Sequence, residues 1–271
     1  MARFWANKAG VAGLAIIVVC ILVAIFAPLL APHDPLAIDI SLQGMEPSEA
    51  YPFGNDEFGR DILSRVIYGA RISLGISLFS VIFSLGLGVV LGAVAGFYGR
   101  GIDNAIMRVM DATMAFPAIL LAIAIVAAMG SNMFNVVIAL GIVYVPRFAR
   151  IIRGAVISLK TREFVEAAIS LGASDVAIIF RHILPNCLAP LIVQATAGFA
   201  YAILAESSLS FLGLGAPPPA PSWGNILSES KDFMLDNPMM TVYPGLAITF
   251  AVLGFNLLGD ALRDILDPRL K

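Results

Sequence analysis

The sequence predicts an all-α polytopic membrane protein with six transmembrane helices. Three observations carry that expectation. Apolar residues fill 59% of the 271 positions and charged residues only 13%, for a mean hydropathy of +0.90, too little polar surface to cover a water-soluble globule. Six apolar runs come near the length a helix needs to cross a hydrocarbon core. The 17 Lys and Arg residues fall unevenly among the segments joining those runs, the asymmetry that orients polytopic proteins in a bilayer. With a net charge of -2 the chain offers little to a polyanion, so membrane lipid and not nucleic acid is the expected surroundings.

The first run, residues 9–31, follows Arg3 and Lys8. A signal peptide also starts this way, and FAPLLAP supplies small residues near its end, but a cleaved apolar region is only about 7 to 15 residues long. A retained anchor is therefore expected. The second run is 72–98. The third, 105–129, contains Pro117, which should kink the helix without ending it, because neighbours can satisfy the freed carbonyl. Arg108 and Asp111, three apart near its start, are placed to pair on one helix face. The fourth run, 133–146, is too short to span, so its helix should continue past Pro146 with Arg147 and Arg150 reaching toward headgroups. The fifth and sixth are 187–205 and 242–259. Asn256 and Asp260, four apart in the last, are expected to hydrogen-bond between helices.

A cytosolic N-terminus puts 13 Lys and Arg on the inner side and only Arg60, Arg65, Arg71 and Lys231 on the outer. The positive-inside bias then favours both termini in the cytosol. Segments 32–71 and 206–243 face outward, and their Pro, Gly and acidic residues suit ordered loops. In the first, GRDILSRVIYGAR places Ile62, Val66, Gly69 and Ala70 on one stripe, which suggests an interfacial helix that either braces the membrane surface or touches a partner. The chain accordingly divides at residue 71, into an anchor with its extracytoplasmic segment and a five-helix core, 72–271. In the second, GLGAPPPAPSWG cannot be helical through its Pro run, and Trp223 suits the membrane interface. Glu206 and Ser207, closing the fifth run, either face a substrate path or sit in the outer interface.

The inner segment 158–186 is unusually regular. Phe164, Ala168 and Leu171 recur at helical spacing with Val165 and Ile169 beside them, while Glu163, Glu166 and Ser170 point elsewhere. Gly172 stops that short helix, Ser174 caps a second, and Pro185 ends the second. Such an elbow either lies on the headgroups or carries a push from a soluble partner into the membrane. The small Ala167 and Ala168 allow another protein to approach closely.

Glu166-Ala167-Ala168, Gly172 and Ile183-Leu184-Pro185 closely resemble the EAA loop of permease subunits in binding-protein-dependent ABC importers. One departure is His182, which stands where the general pattern has Ile. FGNDEFGRDILSRVIYGARISL, SFLGLGAPPPAPSWGNIL and FNLLGDALRDILDPR are similar to the C-type permease of the dipeptide, oligopeptide and nickel importers. The resemblance implies the type I ABC importer (MetI-like) permease fold in the cytoplasmic membrane, forming half of a pore. It also implies a homologous second permease, two ATPases that bind Mg-ATP, and an extracytoplasmic substrate-binding protein. It assigns ATPase coupling to Glu163, Phe164, Glu166, Ala167, Ala168, Leu171 and Gly172. Peptide is the implied cargo, with glutathione or a nickel chelate as alternatives.

The chain has no GxxxxGK[ST] sequence, so ATP must be held by another polypeptide and no cofactor is expected on this one. Cys20 and Cys187 fall at different depths, and His33 and His182 on opposite sides, so neither a disulfide nor a shared metal is expected. No nucleophile, His and acid set marks an enzyme. A secondary carrier would call for internal repeats and charges buried midway in its helices, and a scaffold would not need the elbow.

Overall fold

A computed structural model describes residues 2–266. It is a helical bundle built on Lys8–Ile25 (α1), Ile62–Tyr98 (α2), Arg100–Met114 (α3), Ala118–Met129 (α4), Met133–Lys160 (α5), Glu163–Ser170 (α6), Leu188–Phe211 (α7), Trp223–Ser230 (α8) and Met239–Leu266 (α9). The described residues contain no strand beyond one isolated bridge, Asn55 to Asp61. Side-chain caps fix several starts: Asn7 accepts from the Gly10 N–H, Asp61 from Ser64 and Asn132 from Asn135, each at 2.9–3.0 Å. Each cap satisfies a backbone donor that the first helical turn leaves open.

The spine of the bundle is α2 against α5. Gly88, Gly92 and Gly96 recur at one-turn spacing on α2, and a Cβ added to Gly88 would lie 2.6 Å from that of Phe148. One on Gly92 would lie 3.0 Å from Cα of Ala149, and one on Gly96 2.9 Å from the Arg153 carbonyl. The two backbones therefore meet directly, the arrangement that small residues permit between helices in lipid. By the same means Gly13 brings α1 onto α9, where a Cβ would sit 2.8 Å from the Gly254 carbonyl. Helix α7 packs against α2, α5 and α9, and Phe148, Ile152, Ile183 and Leu209 are fully enclosed around it.

Five helical stretches are long and apolar enough to cross a membrane, and α3 with α4 forms a sixth candidate bent by 93°. Here the expectation for Pro117 is corrected: α3 ends at Met114 and Pro117 starts α4, so the helix breaks instead of kinking. Asp103, Arg108 and Asp111 make α3 strongly amphipathic, so the apolar part of this bent pair is α4. Asp111 does not pair with Arg108 but takes Arg150 at 2.6 Å, and Asp103 takes both guanidinium arms of Arg153 at 2.5 and 2.6 Å. Arg150 thus ties α5 to α3 and does not reach for headgroups.

Helix α2 runs unbroken through residue 71. The supposed interfacial helix is the first three turns of α2, and Ser64, Arg65, Gly69 and Ala70 on it are buried. Helix α5 does continue through Pro146, as far as Lys160. Asn256 and Asp260 are exposed on α9 and make no hydrogen bond to another helix among the described residues. Arg269 and Lys271, counted toward orientation above, lie outside the described residues.

Candidate functional site

The elbow forms at the end of α5. Helix α6 closes on Gly172 at φ +77°, where the Gly172 N–H donates to Ile169 O at 2.9 Å and the Ala173 N–H to Ala168 O at 3.1 Å. This paired closure needs a left-handed residue, which glycine supplies without steric cost. Val165 and Ala168 are buried, against α5 and the turn that follows. Phe164 is 41% exposed and Leu171 88%. The expected single apolar stripe is therefore two: Val165 and Ala168 anchor α6 inward, while Phe164, Ile169 and Leu171 point out. Glu163, Glu166 and Ala167 are exposed as well.

Beyond the elbow Ser174 caps as expected, accepting from the Ala177 N–H at 3.4 Å. Pro185 does not end the second helix. The chain passes from Asp175–Ala177 through a widened π turn, Ile178–Ile183, and a tightened 3-10 turn, Leu184–Cys187, directly into α7. A single helical column thus joins the elbow to the opposite end of the bundle. At the elbow's root Lys160 donates to the Phe97 carbonyl, holding the end of α5 on the end of α2.

At the other end lies a charge cluster that local sequence patterns do not disclose. Glu229 of α8 accepts from Nη2 of Arg60 at 2.7 Å and from Nη2 of Arg65 at 2.6 Å. Asp56 accepts from Nε of Arg60 at 2.6 Å and lies 3.4 Å from Nε of Arg65, and Glu57 takes Arg60 at 3.3 Å. Arg65 is 1% exposed. Oxygens of Asp56, Glu57 and Glu229 come within 4.8 Å of one another, and the guanidinium groups of Arg60 and Arg65 pair with all three, so the cluster is an ionic clasp. Burial raises the Glu57 carboxyl above its ordinary range; a backbone hydrogen bond opposes this, Asp56 and Glu229 add to it, and Arg60 opposes it. Trp223 is also corrected: it is 2% exposed, its Nε1–H donates to Val66 O at 3.0 Å, and its backbone N–H to Ser73 Oγ at 3.2 Å. The clasp and Trp223 together pin α8 onto the start of α2.

Ser207 borders a cavity of about 450 Å³ that Leu204, Ser208 and Phe211 also line. Glu206 is fully enclosed within α7's surroundings and accepts from Ser210 Oγ at 2.7 Å and Ser207 Oγ at 3.4 Å. Cys20 and Cys187 are unpaired. His33 stacks on Tyr51 at 4.5 Å, with Nδ1 3.5 Å from Asp61, and belongs to the clasp end.

Residues 88–271 match the family described as the binding-protein-dependent transport system inner membrane component, and residues 1–47 the N-terminal TM domain of oligopeptide transport permease C. The chain is 51% identical to a dipeptide transport system permease protein of Alkalihalophilus pseudofirmus, over 98% of this chain and 87% of the relative. It is 45% identical to a glutathione transport system permease protein of Pectobacterium atrosepticum (99% and 90%), and 44% to a di/tripeptide transport system permease protein of Pseudomonas aeruginosa (99% and 92%). Among solved structures, an inward-facing MetNI methionine ABC transporter aligns with a TM-score of 0.62 at 16% identity, over 76% of this chain and 98% of that one. That likeness concerns the fold.

Proposed function

The chain belongs to the family of binding-protein-dependent transport system inner membrane components, and from that premise we propose that its elbow, residues 163–174, seats on a separate ATPase. It is a transport permease subunit of an ABC importer and carries no ATPase site of its own. Peptide is its cargo: the relatives named for dipeptides and di/tripeptides match over nearly the whole chain. A glutathione permease at 45% identity supports glutathione, itself a tripeptide, as the second reading. Nothing in the residues favours a nickel chelate. The proposed assembly holds a homologous second permease, two ATPases with Mg-ATP between them, and an extracytoplasmic binding protein. The count of Lys and Arg supports cytosolic termini and a cytosolic elbow.

The observation that carries the coupling reading is the elbow's two-sidedness. Val165 and Ala168 fasten it to the bundle, while Leu171 and Phe164 stand exposed between acids. ATP binding would close the ATPase pair and draw two elbows together. The column from Asp175 into α7 then turns that displacement into rocking of the bundle, opening the cavity outward; hydrolysis reverses it. Such coupling transmits only the difference in contact free energy between the two states.

Gly172→Asp tests this. A side chain at φ +77° is strained and adds a third acid to the seat. Insertion into the membrane should persist while substrate-stimulated ATP hydrolysis by the assembled complex is lost. Normal stimulation in that variant would refute the assignment.

A further inference from the structure

Arg147 is a cation in the middle of a spanning helix with no carboxylate beside it. Helix α5 runs from Met133 to Lys160, which puts Arg147 about 20 Å from either end at ~1.5 Å per residue. A hydrocarbon slab about 30 Å thick that lies within the length of α5 encloses that position. The next two arginines of α5 are paired, Arg150 with Asp111 and Arg153 with Asp103. Arg147 has no ion pair or hydrogen bond among the described residues. Its guanidinium carbon lies 5.3 Å from the centroid of the Tyr144 ring and 4.7 Å from that of Tyr201. The Tyr144 hydroxyl donates to the Tyr201 carbonyl at 3.3 Å, which fixes α5 on α7 at this level.

Aromatic faces position a cation and lower its energy modestly, but they leave its N–H donors and its charge unspent. Tyr201 is 50% exposed, so the site opens away from the chain's own core. Along α7, Gln194, Tyr201 and Ser208 recur every seven residues and none is buried, a line of polar side chains on one face of the helix. Toward the elbow that line enters a groove of about 420 Å³ bounded by Ile151, Gln194 and Arg263. Ile151 is one turn from Arg147 on α5.

Resting on the reading of this chain as half of a peptide pathway, we infer that Arg147, held between Tyr144 and Tyr201, receives the carboxylate of a peptide passing along this seam. A guanidinium fork matches a carboxylate bidentately, and its attraction is strongest where water is scarce. The two rings matter for release. By partly compensating the empty site they keep it from becoming a trap, as a conducting path requires.

The test uses proteoliposomes holding the complete importer, with ATP and one saturating binding protein. L-alanyl-L-alanine or its C-terminal amide is supplied, and uptake is compared for wild type, Arg147→Gln and Arg147→Lys. The binding protein's own preference is common to all three, so the acid-to-amide uptake ratio reports on this chain. The ratio should fall at least tenfold in Arg147→Gln and recover in part in Arg147→Lys, where charge returns without the fork. An unchanged ratio overturns the inference. So does a loss equal for both peptides, which marks Arg147 as a structural partner of the second permease. If wild type imports neither peptide with ATP, the peptide-importer reading itself falls, and this inference with it.

Discussion

Replacing Glu229 with alanine removes the carboxylate to which both Arg60 and Arg65 donate hydrogen bonds. Arg65, 1% exposed, is then left with Asp56 at 3.4 Å and the Pro35 carbonyl at 3.5 Å. A hydrogen bond to a charged group contributes ~1.5–3 kcal/mol, and Glu229 accepts two. Breaking a buried pair from one side costs about 3–5 kcal/mol. The Glu229 side chain is 23% exposed, so water re-enters and the lower end applies, about 3 kcal/mol. For a chain of this size ~1 kcal/mol moves the midpoint by ~2–4 °C, which predicts a drop of roughly 6–12 °C. Unfolding in detergent is read with a thiol-reactive dye in a Cys20→Ser background, where the buried Cys187 becomes reactive only as the bundle opens. Glu229→Gln keeps an acceptor and should lose about half as much. Arg65→Met should cost less in the Glu229→Ala background than alone, because the stranded charge leaves with it. A midpoint for Glu229→Ala within about 2 °C of wild type refutes the clasp.

Two further outcomes follow from the packing and the electrostatics. Gly92→Ala should destabilise by ~1–3 kcal/mol through overpacking against Ala149, whereas Gly86→Ala, with nothing near its Cβ, should be neutral or gain up to ~1 kcal/mol of helix propensity; equal effects in the same dye assay would contradict the close approach. Glu57 holds its proton more tightly folded than unfolded, so it favours folding at low pH. That contribution is lost as pH rises from about 4.5 through the raised folded value. Glu57→Gln should therefore melt with a flatter pH profile across that window, and a profile identical to wild type would be inconsistent with the burial.

The spans and the elbow were legible because their signals are local. Apolar runs of sufficient length mark the crossings, and Gly172 between two short amphipathic stretches marks the turn. Pro117 misled because a proline in lipid is usually tolerated as a kink. The corrective signal was Asp103, Arg108 and Asp111 in the same stretch, which make α3 amphipathic. Arg65 reads as a solvated charge on a helix stripe; its partner Glu229 is 164 residues away, and no periodicity reports such a pairing. The sequence places Leu171 on the right element, but its outward aim is not visible there. A short helix with apolar residues on two sides satisfies the same spacing whichever side is anchored.

The direct meeting of α2 and α5 backbones has a mechanical consequence. Long side chains between helices act as soft bushings, since each can change rotamer and absorb part of a displacement. Where Gly88, Gly92 and Gly96 face α5 there is nothing of that kind to yield. The two rods behave as one strut, pinned at its base by Lys160 and at its crown by the start of α2 under Trp223. A stroke applied at the base reaches the crown nearly undamped.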